Sequence, residues 1–503
     1  MSYAYTADQI RTAEEPLLEA QDFPDQLMQQ AASAVFEVAR ALVLDDDHPA
    51  VLILAGKGGN GGDGLYAGAQ LAMQGVAVSA FLTAGEAHQP ALTVFEQAGG
   101  TVLKEAPTDE ECARYQLVID AMTGIGGSGG IDDEPYRIIE AARAGQVPVL
   151  AVDVPSGVDA DTGLAHPQHV TADVTVTFGG FRLAHGLAPE CGLQVLAEIG
   201  TPSLSSILQR QNSPYVLHRA TLPESSWLEP LQALQTLRPP AITSVEPSAT
   251  DDKYSGGVVG IRAGSGTYPG AALLSVRGAV NATPAMVRYA GPQALEVVRA
   301  HPEVVVTETI QDAGRVQAWV FGPGAGTDEE AAAELQHLLE TDLPVLIDAD
   351  GLTLLAEHEN LRGLVVKREA STVLTPHDGE FTRLREACGL DSAGRLAETE
   401  ALARHLQAMV VRKGRSTIIA GGSRTHIIDA GNSWAATPGS GDVLSGIAGA
   451  HLAAGTPDAV VQAVAIHAAA AKLSATTPYG EGPTSATKIA DAVPAASAQL
   501  TRA

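Results

Sequence analysis

The chain has 503 residues, 59 of them acidic and 31 basic, for a formal net charge of −28. That length exceeds one compact core and suits two or three domains, while the acidic balance excludes nucleic acid and anionic membrane surfaces as partners. Cysteines at 112, 191 and 388 are far apart in sequence, which excludes a disulfide framework and a CxxC metal site.

The amino terminus, Met1-Ser2-Tyr3-Ala4-Tyr5, has neither a basic start nor an apolar core, and no later run reaches about 18 apolar residues. A cytoplasmic location without membrane association is expected. Asp45-Asp46-Asp47 lacks the alternating spacing of a calcium loop and reads as a solvated turn. Val51-Leu52-Ile53-Leu54-Ala55 reads as a buried strand, followed by the glycine run Gly56 to Gly64 and an Ala/Leu-rich helical stretch. This is a strand, phosphate loop and helix. Lys57 opens the run, whereas a Walker loop closes on its lysine, and the spacing does not match a dinucleotide fingerprint. Taken alone, the segment also reads as an Asn-Gly turn between two elements.

Two further strands, ending at Asp120 and Asp153, each lead into small residues: Ala121-Met122-Thr123-Gly124 and Val154-Pro155-Ser156-Gly157. His166 and His169 flank Pro167 and read as loop residues rather than zinc ligands. From about 201 to 250 the chain has seven prolines and little strand pattern, as expected of a linker and cap; Leu222 to Leu237 alternatively forms a helix on the second domain. The boundary falls near 215–225, giving domains 1–215 and 216–503.

Strands are predicted at 51–55, 117–120, 147–152 and 174–178, then at 258–262, 316–321, 344–348, 409–413 and 425–429, alternating with helical stretches that include the alanine-rich 463–471. The alternation predicts an α/β fold of parallel sheets covered by helices on both faces. In the second half, Pro344 to Gly351, Thr372 to Glu380 and Lys413 to Thr417 each end a strand-like run in polar, turn-forming residues. Ligands bind outside the carboxyl ends of strands in such sheets, so these endings describe one cleft. Thr437 to Gly446 adds an anion site: Gly439 and Gly441 admit a ligand to the main chain, and the helix that follows directs its first N–H groups at negative charge. Asp442 in that pocket is a candidate base for a hydroxyl that meets a phosphate. A glycine-rich loop before a core helix is the structural alternative for this segment alone.

The set GPGAG (322–326), VLIDADG (345–351), LTPHDGEF (374–381), KGRST (413–417) and GSGDVLSGI (439–447) resembles the ADP-dependent NAD(P)H-hydrate dehydratases, relatives of ribokinase-type kinases. The first half, with its 56–64 loop and the segments ending at Asp120 and Asp153, resembles the NAD(P)H-hydrate epimerase domain. The order is that of bacterial bifunctional NAD(P)H-hydrate repair enzymes, which implies a Rossmann-like three-layer domain followed by a ribokinase-like one. There are two departures from the family pattern. Gly59 stands where the epimerases usually have an asparagine, and Lys253 to Gly257 replaces a His-Lys-Gly start.

The resemblance implies that the enzyme epimerises R- and S-NAD(P)H hydrate and dehydrates the S form with ADP, yielding AMP and phosphate. It assigns Asp442 as base, and the hydrated cofactor to Ala271, Gly324, His377 and Asp442. ADP falls to Lys413, Gly414, Arg415, Ser416, Thr417 and Gly441, with Mg2+ accompanying it. In the epimerase half the substrate falls to Gly59, Asn60, Gly61, Gly62, Asp63, Gly124, Ile125, Gly126, Gly127, Ser128, Gly129, Gly130 and Asp153. A potassium ion falls to Asn60, Asp120 and Ser156. A homo-oligomer is also expected. Two other readings stay open at this stage: a small-molecule kinase fused to a nucleotide-binding module, and a sensor or repair enzyme whose first half has lost activity.

Overall fold

A computed structural model of the chain describes residues 2–43, 48–127, 129–221 and 235–502. The turn expected at Asp45 to Asp47, the loop residue Ser128 and most of Leu222 to Leu237 lie outside the described residues. The chain divides into two compact units, Met1–Leu217 with Leu222–Leu237, and His218–Thr221 with Arg238–Ala503.

In the first unit the strands are β1 (Ser2–Tyr5), β2 (Ala50–Ala55), β3 (Ala77–Leu82), β4 (Thr101–Val102), β5 (Leu117–Ala121), β6 (Val149–Val152), β7 (Val174–Phe178), β8 (Phe181–Arg182), β9 (Leu193–Ala197), β10 (Tyr215–Arg219, which ends in the second unit) and β11 (Gln235–Thr236). An eight-stranded sheet runs β11-β9-β7-β6-β5-β2-β3-β4. Its centre is parallel and buried on both faces, which explains the unbroken apolar run in β2. Alternate residues serve opposite layers: Val51, Ile53 and Ala55 join one core, Leu52 and Leu54 the other. The chain leaves β2 toward β3 and β4 on one side and returns as β5 on the other. Open α/β sheets bind ligands in the crevice at such a switch point, here between the β2 and β5 carboxyl ends.

The second unit contains β12 (Val258–Arg262), β13 (Met286–Ala290), β14 (Val305–Thr307), β15 (Ala318–Phe321), β16 (Val345–Ile347), β17 (Thr372–Leu374), β18 (Met409–Arg412), β19 (Ser416–Ala420), β20 (Thr425–Asp429) and a small hairpin of β21 (Thr476–Thr477) and β22 (Gly480–Glu481). The main strands run β14-β13-β12-β15-β16-β17-β18-β19-β20. Val259, Ile261 and Val320 face one apolar layer with the helices 440–453 and 459–475; Val258, Trp319 and Phe321 face another with the helices 329–339 and 378–387. The alanine-rich stretch 463–471 lies in the buried helix Ala459–Ala475, as expected.

The expectation of parallel sheets needs one correction. β18 to β19 and β19 to β20 pair antiparallel, as do β9 and β11. Only residues 413–415 separate β18 from β19, too few for the crossover that a parallel neighbour requires. Lys413, Gly414 and Arg415 are therefore a hairpin turn, and Ser416 and Thr417 open a strand. No described helix is long and apolar enough to cross a membrane.

Candidate active sites

Asp348 follows β16, and the residue after it, Ala349, has φ +48° with ψ −115°, a strained conformation for alanine. The chain is held there from both sides. A Cβ on Gly322 would lie 2.0 Å from the Asp348 carbonyl oxygen, so only glycine fits, and the Gly326 N–H donates to Asp350 Oδ2 at 2.9 Å. Asp348 is buried and doubly bound: Lys413 Nζ donates to Oδ1 at 2.7 Å, and Ser445 Oγ donates to Oδ2 at 2.7 Å. Glu380 Oε2 lies 4.0 Å from the same ammonium. Burial disfavours the Lys413 charge, but Asp348 and Glu380 outweigh it and raise its pKa.

Gly439, at φ +81°, caps the helix Ser440–Ala453. A Cβ on Gly441 would stand 3.3 Å from Lys413 Nζ and 3.8 Å from Asp348 Oδ2, so the ion pair lies directly against the helix's first turn. In that turn the Ser440 N–H donates to the Thr437 carbonyl at 3.1 Å and the Val443 N–H to the Gly439 carbonyl at 3.3 Å, which leaves the amides of Gly441 and Asp442 for a ligand. Asp442 shares the turn. Burial, then Asp348, Asp350 and Glu380, raise its pKa to about 7 against the opposing pull of Lys413. A carboxyl group that titrates near neutrality accepts a proton far better than an ordinary aspartate.

Beside this turn lies a cavity of about 580 Å³ lined by His377, Lys413, Gly414, Arg415, Thr417, Thr437, Ser440 and Gly441, with apolar walls from Ile428, Leu444 and Val464. Arg415 is fixed by Asp429 at 2.7 Å, and Thr417 Oγ1 donates to the Gly414 carbonyl at 3.1 Å. Ser416 is not among the lining residues; its Oγ is buried without a partner. Asp442 stands one residue beyond the lining residue Gly441. Ala271 and Gly324 adjoin each other, since a Cβ on Gly324 would lie 3.0 Å from that of Ala271. They follow β12 and β15, the second unit's switch point. His467 lines the cavity too and had no signal in its alanine-rich helix. Its Nε2 lies 3.0 Å from the Ser440 carbonyl and burial lowers its pKa to about 4, so it is neutral and braces the anion loop.

In the first unit the loop after β2 needs its glycines: a Cβ on Gly56 would meet the Met122 carbonyl oxygen at 2.0 Å, and one on Gly61 the Gly56 carbonyl oxygen at 1.9 Å. At Gly59 there is open space, with only the Met28 Cε at 3.9 Å. Asn60 and Asp63 lie in the first turns of the helix Gly59–Met73. Gly124 brings Asn60 and Asp153 together, because a Cβ there would stand 2.9 Å from Asn60 Oδ1 and 3.2 Å from Asp153 Oδ2. The Ile125 N–H donates to Asp153 Oδ2 at 3.2 Å. Gly126, Gly127, Gly129 and Gly130 continue this loop.

Asp153 has φ +67° and is held by groups that sequence reasoning missed. Its Oδ1 accepts from Thr177 Oγ1 at 3.0 Å and pairs with Arg182 Nη2 at 2.9 Å, all buried. His185 Nδ1 accepts the Arg182 backbone N–H at 3.0 Å, so Nε2 carries the proton it donates to the Asp153 carbonyl at 2.8 Å. Burial and Arg182 lower the His185 pKa to about 4, keeping it neutral. Burial, Asp153 and Glu14 together push the Asp63 carboxyl well above its usual range. Asp120 and Ser156 are also together: the Ser156 N–H and Oγ donate to the two carboxylate oxygens at 2.8 and 2.7 Å. Burial raises the Asp120 pKa to about 6 against these bonds.

A family model described as NAD(P)H-hydrate dehydratase matches residues 259–495, and one described as YjeF-related protein N-terminus matches 24–184. The bifunctional NAD(P)H-hydrate repair enzyme Nnr of Corynebacterium glutamicum is 43% identical, over 99% of this chain and 99% of its own. The enzyme of the same name from Mycobacterium tuberculosis is 44% identical over 91% of this chain and 90% of its own. Among solved structures, an ADP/ATP-dependent NAD(P)H-hydrate dehydratase from Bacillus subtilis, co-crystallised with ATP/Mg2+, is 28% identical, covers 51% of this chain and 95% of that one, and has a TM-score of 0.45.

Proposed function

The chain belongs to the family of bifunctional NAD(P)H-hydrate repair enzymes, and from that premise we propose how its two units divide the work. The first interconverts the R and S hydrates of NADH and NADPH; the second dehydrates the S form with ADP, giving AMP and phosphate. The observation that carries the second assignment is Asp442 in the first turn behind Gly439-Ser440-Gly441, beside the Lys413–Asp348 pair.

The hydrate's ring hydroxyl delivers its proton to Asp442 while its oxygen bonds to the β-phosphorus of ADP, and AMP leaves. Loss of phosphate from the ring carbon, with a proton from the neighbouring carbon, restores the double bond. The amides of Gly441 and Asp442 receive the phosphoryl oxygens, since the Ser440 N–H is taken by the Thr437 carbonyl. Adenine nucleotide occupies the cavity beside the 413–415 turn, and the hydrated ring lies toward Ala271, Gly324 and His377. Mg2+ arriving with ADP would fit a carboxylate donor such as Asp350, near the base Asp442, and would neutralise phosphate charge.

The potassium ion implied for the first unit fits the donor chemistry, which is all oxygen: Asp120, Ser156 and Asn60. Asn60 Nδ2 is buried without a partner, and exchanging the amide's two ends would turn an orphaned donor into an oxygen for a cation. Asp153 Oδ2, opposite Asn60, accepts the Ile125 N–H at 3.2 Å and keeps a lone pair for substrate.

A base that works as a carboxylate with a pKa of about 7 in the ligand-free chain is protonated below that pH, so kcat/KM for dehydration should rise with pH through a midpoint near 7. A rate flat between pH 5 and 9, read from the recovery of nicotinamide absorbance, would take Asp442 out of the base role.

The turn at 414 gives a second expectation. A Cβ there would stand 2.8 Å from Arg395 Nη2, whose guanidinium bonds the Ser416 carbonyl at 3.4 Å. Gly414→Val should therefore lower ADP affinity on the order of tenfold by overpacking the cavity rim. Calorimetry on the folded variant decides, and unchanged affinity removes the turn from the nucleotide site.

The function itself is tested by supplying S hydrate with ADP and measuring whether free phosphate and AMP appear together with the reduced cofactor. ATP consumption with a stable phosphoester product would instead mark a small-molecule kinase.

A further inference from the structure

Lys413 and Asp348 are separated by 64 intervening residues and by two strands' worth of chain, yet their charged groups meet beneath the anion loop. The lysine continues β18, whose end β17 and β19 fix in the sheet. Asp348 continues β16. Its two oxygens are divided between two donors, Lys413 Nζ and Ser445 Oγ, each at 2.7 Å. Ser445 is in the second turn of the same helix whose first turn holds Asp442, so Asp348 is tied at once to the ammonium and to the helix. Gly441 lies between the anion loop and the base, and because a Cβ there would stand 3.3 Å from the ammonium, glycine keeps that side of Lys413 free of a side chain. The Lys413 side chain is 18% exposed, and it lines the cavity while Asp348 does not.

That arrangement is more than a nucleotide contact. A purely structural pair has no need of a side-chain-free residue over its cation, and an adenine-binding lysine has no need to lie against the helix turn that receives phosphoryl oxygens. We infer that Lys413 is a catalytic residue, its ammonium meeting the phosphoryl group in transfer, and that Asp348, braced by Ser445, is the positioning residue that aims it. The inference rests on the dehydratase reading of the second unit.

In the step itself, the substrate oxygen forms its bond to the β-phosphorus as the bond from that phosphorus to the bridging oxygen breaks. AMP departs with that electron pair, and the hydroxyl proton goes to Asp442. Negative charge spread over the phosphoryl oxygens then lies between the helix amides on one side and Lys413 on the other. Asp348 also acts on Asp442 as a like charge, alongside Asp350 and Glu380, and Lys413 offsets them. Without Asp348, Lys413 would keep Glu380, at 4.0 Å, as a carboxylate neighbour but lose the 2.7 Å bond that aims it.

The test is a double-mutant cycle on the full chain, with kcat, KM for ADP and ADP affinity by calorimetry. Activity of the unmodified protein toward S hydrate is measured first; its absence would overturn the dehydratase reading rather than this inference. Lys413→Met should lower kcat by about 10²–10³. Asp348→Asn should lower kcat by at least about tenfold while ADP affinity changes by less than about threefold. Because Asp348 acts through Lys413, the double variant should match Lys413→Met within a factor of about three. Should Asp348→Asn fail to fold, Ser445→Ala replaces it in the cycle, with a smaller kcat loss and the same non-additivity. Losses that multiply, or a fall in ADP affinity that accounts for the whole effect, would overturn the positioning role. An unchanged kcat in Lys413→Met would overturn the catalytic one.

Discussion

Asp442→Asn should abolish ADP-dependent dehydration, lowering kcat by roughly 10²–10⁴, while leaving ADP affinity close to that of the unmodified protein. The asparagine keeps the shape of the side chain in the first turn of helix 440–453 and removes only the proton acceptor. It also removes a carboxyl group that burial and three like charges already disfavour. Stability should therefore hold or rise, since the charge is relieved rather than stranded. Single-turnover dehydration of S hydrate, with thermal unfolding in parallel, separates the two effects. Near-normal turnover would remove Asp442 from the chemistry.

The second large effect belongs to the first unit. Asp153→Asn should stop interconversion of R and S hydrates, with a loss of about 10²–10⁴, while dehydration of pure S hydrate stays within about twofold. Asparagine suits the test better than alanine, because it tolerates φ +67° and retains a carbonyl oxygen for the buried Arg182. Alanine would leave that guanidinium unpaired at a cost of about 3–5 kcal/mol and confuse misfolding with lost chemistry. In the unmodified protein the same assay should run faster as potassium is added. Gly59 leaves open space rather than an obstruction, so the loop should still support the reaction. Retained epimerisation in the variant would exclude Asp153.

What was legible in the sequence follows from the range of the interactions. Val51 to Ala55 announces a doubly buried parallel strand because every residue in it is apolar, and the glycines at 56 and 61 stand where a Cβ would lie about 2 Å from a carbonyl oxygen. The Gly439 to Asp442 loop is likewise local. The return of β19 was not legible: Ser416 and Thr417 look like the end of a turn until the three-residue gap after β18 forces an antiparallel neighbour. Nor was the partnership of Asp348 with Lys413 and Ser445, which tertiary packing alone creates. Arg182 sits in an apolar run, Thr177-Phe178-Gly179-Gly180-Phe181-Arg182, where nothing local indicates that its charge belongs to Asp153. His467, among alanines, reads as core and is core, yet its ring nitrogen reaches the anion loop.

One assay addresses both units at once: the full chain is incubated with a mixture of R and S hydrates, with and without ADP, and recovery of the reduced nicotinamide absorbance is followed against the spontaneous rate in buffer. With ADP, absorbance should return for the whole mixture, faster than buffer alone allows, and without ADP it should not return. Recovery that halts at the S fraction would contradict the epimerase half of the account, and no recovery with ADP would contradict its centre.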